Sequence, residues 1–109
     1  MSIACVLITH LPAKAELRRH PKLRNRPVVI TTDSGRGPLV LDVSPEVRDV
    51  TLGMPLQEAL SRCKGPALLE ADRPHYQKVF EQVLSALFTR SPVVEKAELG
   101  CAYVGVDGL

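Results

Sequence analysis

Residues 91–108 read SPVVEKAELGCAYVGVDG, and the way this stretch bends decides the fold. Val93, Val94, Ala97, Leu99, Ala102, Tyr103, Val104 and Val106 fall into two short apolar runs, and the one evident bend between them is Gly100-Cys101. The pattern predicts a tight β-hairpin. A hairpin alone is marginal in water, so it needs a third strand and a covering helix. Ile3 to Ile8 (IACVLI) reads as a buried strand, and Tyr76 to Phe88 as the helix. A bend in a central hairpin facing a first strand is a natural place to gather metal-binding carboxylates. Here it carries Gly100 and Cys101, and the first strand has no acid.

The helix has the clearest periodicity in the chain. Tyr76, Val79, Phe80, Val83, Leu84, Leu87 and Phe88 alternate between steps of three and one, which lays one apolar face on a sheet. Fully burying each large member contributes about 1.5–3 kcal/mol. Asp72 is placed to cap it, and Ser91-Pro92 to end it.

Upstream, Pro12 starts a short helix (PAKAELRRHP) that Pro21 stops. Its apolar stripe of Ala13, Ala15 and Leu17 is narrow, so its bases face outward. Pro27 to Thr32 and Pro38 to Val43 read as a second hairpin around Asp33-Ser34-Gly35-Arg36-Gly37. Ser44-Pro45-Glu46 has the pattern of a helix start. A further helix is expected over Pro55 to Cys63 and a short strand over Ala67 to Ala71. The fold class is therefore mixed α/β (α+β): strand, small α/β insertion, long helix, hairpin.

At 109 residues the chain is one domain or a piece of one, a size that buries roughly 65% of its unfolded surface. With no Trp, the core falls to Val, Leu, Ile and Ala. No apolar run approaches the ~20 residues of a membrane span, and the start lacks a secretory pattern. A cytoplasmic protein without membrane contact is expected. Cys5, Cys63 and Cys101 form no C-x-x-C pair, which argues against structural zinc and a disulfide framework. They read as free thiols, Cys5 and Cys101 on neighbouring strands. His10, His20 and His75 read as surface or capping residues, and Asp33 to Gly37 lacks the lysine and following helix of a phosphate-binding loop.

The net charge of +2 hides an asymmetry. Residues 1–36 hold seven bases against two acids, a net of +5, and the rest of the chain carries −3. A basic segment beside an acidic body suggests a side that faces a polyanion, with Arg18, Arg19, Lys22, Arg24, Arg26 and Arg36 as DNA-binding candidates.

Four runs in unbroken order, AELRRHPKLRNRPVVI (15–30), GMPLQEALSRC (53–63), ADRPHYQKVFEQVLSAL (71–87) and the 91–108 stretch, resemble the N-terminal part of the Y-family, UmuC/DinB-type translesion DNA polymerases. The resemblance implies a palm made of residues 1–10 and 72–109, a fingers part of residues 11–71, and thumb and little-finger domains that this chain lacks. Active members use two Mg²⁺ ions held by hard oxygen ligands. The family's strand-one aspartate falls on Leu7 and its acidic pair on Gly100 and Cys101, so neither catalytic nor metal residues are expected. The family's sugar-screening aromatic matches Pro12, and its triphosphate-binding tyrosine and arginine match Val43 and Glu46, so no nucleotide site is expected either.

This departure is similar to the non-catalytic ImuB-like branch. It leads to the expectation of no enzyme and no cofactor: an adaptor in DNA repair, translesion synthesis and the SOS response, near the nucleoid. Its expected partners are primer-template or damaged DNA, bound weakly, and other replication or repair proteins, with self-association through the palm sheet. Two alternatives stay open: the N-terminal piece of an active nucleotidyltransferase, and an α/β protein-binding module unrelated to DNA.

Overall fold

The computed structural model describes residues 2–91 and 93–105. The expected helix end at Pro92 and the hairpin's last residues, Val106 to Gly108, lie outside them. The elements in order are β1 (Ile3–Leu7), α1 (Leu11–Arg19), a 3₁₀ turn (Pro21–Asn25), β2 (Val28–Asp33), β3 (Pro38–Val43), α2 (Leu56–Arg62), β4 (Ala67–Glu70), α3 (Arg73–Phe88), β5 (Val94–Glu98) and β6 (Cys101–Gly105). They divide into two compact units, Met1–Leu11 with Arg73–Leu109, and Pro12–Asp72.

The first unit is built on the sheet β1-β6-β5, antiparallel throughout. The expected hairpin is present. Gly100 turns it with φ +83°, a conformation that disfavours any residue with a Cβ. A bulge between Lys96 and Glu98 bends β5 just before that turn. One face of the sheet packs on α3: Phe80 and Ala102 are buried with Leu11, and Ile8, Val79, Leu84 and Leu99 close around them. Lys96 Nζ lies 5.8 Å from the centre of the Phe80 ring and 2.9 Å from Gln77 Oε1. Ser91 Oγ donates to the Gly105 carbonyl at 2.7 Å and fastens the chain after α3 to the end of β6.

The other face of this sheet is open, and here the expected burial of the first strand is corrected. Ile3 and Leu7 are 59% and 65% exposed, and Tyr103 on β6 is 45% exposed. An unbroken apolar run is what a strand covered on both faces would show, but α3 covers only one. Phe88, expected on the covered stripe, is likewise exposed.

The second unit has the sheet β3-β2-β4, with β2 antiparallel to β3 and parallel to β4. Val28, Val29 and Ile30 of the central strand are fully buried. Val29 joins Val40, Val43, Val50 and Ala59 of α2 on one side, while Val28 and Ile30 join Ala13 of α1 on the other.

The helix expected from Ser44-Pro45-Glu46 does not form; residues 45–46 make a turn. Ser44 is buried instead. Its Oγ accepts the Val28 N–H at 2.9 Å, and its own N–H donates to the Val28 carbonyl at 2.9 Å. The serine prolongs the β2–β3 ladder by one pair, which leaves its hydroxyl unable to cap a helix.

Candidate functional site

Leu7 closes β1 and sits directly across from Cys101, the first residue of β6. Gly100 precedes it in the turn, and its carbonyl accepts the Ile8 N–H at 2.7 Å. A Cβ built on Gly100 would stand 2.9 Å from the Ile8 carbonyl oxygen. The turn is thus shaped for glycine by both φ and space, and a carboxylate side chain has no room at this position of this backbone.

Cys101 is buried, and its Sγ lies 3.6 Å from that of Cys5, a hydrogen bond in which either thiol can donate. Cys101 holds its proton more tightly than an ordinary thiol. The Cys5 hydrogen bond contributes most, followed by burial, the neighbouring Cys5 charge and the charge of Glu98. Glu98 is the cross-strand partner of Cys101, so one acid does stand beside the turn. The bulge at β5 brings that residue into register, which spacing alone did not reveal.

One carboxylate beside a leucine, a glycine and a thiol does not fit a pair of magnesium ions, which take hard oxygen donors. Among the described residues no group of three or more His, Cys, Asp or Glu is placed to hold a metal.

The positions the resemblance gave to the nucleotide lie in the second unit. Pro12 is half-buried in the first turn of α1, Val43 is buried at the end of β3, and Glu46 is exposed in the turn beyond it.

The basic candidates separate by what they touch. Arg18 and Arg19 occupy the last turn of α1, where cations also suit the helix dipole. Lys22 and Arg24 lie in the 3₁₀ turn, Arg26 follows it, and Arg36 is at the exposed β2–β3 turn. Arg19 is engaged by Asp72 at 2.7 Å and Glu16 at 3.4 Å, and Arg26 donates to the Gly65 carbonyl at 3.0 Å.

Arg18 and Arg24 instead rim an open hollow of about 300 Å³, with Lys14 beside them and Leu17 in its lining. Lys14 was missed as a candidate. Its spacing of four from Arg18 puts both on one helix face and is the signal that would have found it. Arg26 and Arg36 do not line the hollow.

The chain as a whole has the fold of solved Y-family DNA polymerases. A post-insertion binary complex of Dbh DNA polymerase superposes with a TM-score of 0.93 at 23% identity, covering 99% of this chain and 32% of that one. DinB from Sulfolobus solfataricus gives 0.90 at 23% identity over 99% and 32%. In sequence, a family model described as impB/mucB/samB matches residues 7–109, and the chain belongs to that family.

DNA polymerase IV of Methanoculleus marisnigri is 34% identical over 101 residues, which is 87% of this chain and 28% of the relative. DNA polymerase IV of Listeria welshimeri is 28% identical over 96 residues, 86% of this chain and 27% of the relative. The chain thus spans under a third of the length of these relatives.

These names overturn the expectation that the chain is not an enzyme: relatives called DNA polymerase IV and neighbours called DNA polymerases point to an enzyme. That expectation rested on three positions, Leu7, Gly100 and Cys101. No helix among the described residues is long and apolar enough to cross a membrane.

Proposed function

We propose that this chain is the palm-and-fingers part of a Y-family DNA polymerase of translesion synthesis, and that it holds primer-template DNA. Residues 1–10 and 72–109 make the palm and residues 11–71 the fingers. The observation that carries the reading is the family match over residues 7–109, in relatives named for DNA polymerase. The hollow rimmed by Lys14, Arg18 and Arg24 supports it, since clustered bases are what a phosphate backbone attracts. DNA binding would bring the protein to the nucleoid. Leu7, Gly100 and Cys101 take no part in holding a metal in this reading.

Fluorescence anisotropy with labelled primer-template across a salt series tests it. Binding that weakens steeply as salt rises is the expected result; no binding, or binding indifferent to salt, rejects it. Primer extension on the same DNA then measures template-directed addition separately from binding.

A second reading, an adaptor that contacts a replication or repair partner, draws on the open face with Ile3, Leu7 and Tyr103 exposed. Sedimentation of the chain alone measures self-association through this sheet. If Ile3→Ser with Leu7→Ser leaves both self-association and capture by a partner polymerase unchanged, the adaptor reading fails.

A further inference from the structure

On the open face of β1-β6-β5 two thiols meet. Cys5 lies opposite Tyr103 and Cys101 opposite Leu7, so the two cysteines are diagonal neighbours on adjacent strands, 96 positions apart in sequence. Their sulfurs are in contact at 3.6 Å. Cys5 is exposed and Cys101 buried. An accessible thiol touching a sheltered second thiol places a resolving sulfur within reach of the outer one once that is oxidised. Cys63, the third cysteine, packs instead against the Val29 cluster of the other unit.

We propose that Cys5 and Cys101 form a redox modification site, closed to a disulfide by hydrogen peroxide. The Cys5 thiol sheds its proton and its sulfur attacks the peroxide: an S–O bond forms, the O–O bond breaks, and the departing hydroxide takes up that proton as water. Cys5 becomes a sulfenic acid, oxidised by two electrons that reduce the peroxide. The Cys101 sulfur gives up its proton and attacks the Cys5 sulfur; the S–S bond forms, the S–O bond breaks and water leaves. In sum, two thiols and one peroxide yield one disulfide and two waters. The new bond ties β1 to β6 on the face where the family resemblance placed its acids, and it closes most of the chain into one loop.

The test oxidises the reduced chain with about one equivalent of hydrogen peroxide, then digests it and measures masses. A linked Cys5–Cys101 peptide pair, about 2 Da lighter than the two reduced peptides together, is expected. It should form equally in Cys63→Ser, disappear in Cys5→Ser and Cys101→Ser, and be undone by dithiothreitol. The oxidised chain should also melt several degrees higher than the reduced one. Cys5 carried to sulfinic acid beside a free Cys101, a Cys5–Cys5 link between two chains, or two unreacted thiols would each overturn the proposal. Because Cys5 is exposed, Cys5→Ser keeps the test independent of any folding defect in Cys101→Ser.

Discussion

The carboxylate of Asp42 accepts the backbone N–H of Ala13 at 2.9 Å, with both groups buried and 29 positions apart. The first N–H groups of a helix have no partner within it, and α1 has no acid in its own first turn. A residue of β3 therefore supplies the cap from across the fold. Asp42→Ala should lower stability by about 1–3 kcal/mol, the cost of leaving a buried donor without its acceptor. Asp42→Asn, which retains an acceptor, should cost less. Urea midpoints of the three chains make the comparison.

Gly100 offers a second test. Its φ of +83°, and the Ile8 carbonyl oxygen only 2.9 Å from where a Cβ would stand, leave no tolerated side chain. Gly100→Ala should destabilise by about 1–3 kcal/mol. Gly100→Asp should cost at least as much, even though it restores the residue the family resemblance implies. An aspartate variant as stable as the parent in thermal unfolding would contradict this account of the turn.

Stability should depend on pH through Cys101. Its thiol is raised above the ordinary value of 9.0 in the folded chain, so between the unfolded and folded values the native state holds more protons. The contribution is fully present below 9.0 and is lost as pH rises through the folded value. Under reducing conditions the melting temperature should fall across that alkaline window. Because the Cys5 hydrogen bond is the largest cause of the shift, the fall should be shallower in Cys5→Ala, which differential scanning fluorimetry can resolve.

The basic residues should not act alike on DNA. Arg18→Ala and Arg24→Ala, at the rim of the hollow, are each expected to reduce the slope of log affinity against log salt by about 1. Arg19 is already committed to Asp72 and Glu16. Arg19→Ala should leave the slope nearly unchanged, and losing its partly solvated pair with Asp72 should cost up to about 1 kcal/mol of stability. Titrations at four or five salt concentrations distinguish the two behaviours.

The long helix and the hairpin are legible because their signals are local: a period near 3.6 in one, and two apolar runs parted by glycine in the other. Ser44 misleads because Ser-Pro-Glu carries the same local pattern whether or not a strand 16 positions upstream claims the hydroxyl. The exposed side of β1 is also hidden, since alternation would have marked it and every residue from Ile3 to Leu7 is apolar. Of the candidate site, the contact between Cys5 and Cys101 follows from strand adjacency. The nearness of Glu98 depends on a bulge, and the sorting of arginines into engaged and available depends on Asp72 and Gly65, which no spacing rule connects to them.

The burial of Val28, Val29 and Ile30 on both sides of β2 reaches beyond packing. A strand with hydrogen-bonded neighbours on each edge and apolar cover above and below can expose its amides to deuterium only when the unit around it opens as a whole. Those three residues should therefore report the unit's global opening free energy in exchange experiments, while the ends of β3 and β4 exchange through smaller, local fluctuations.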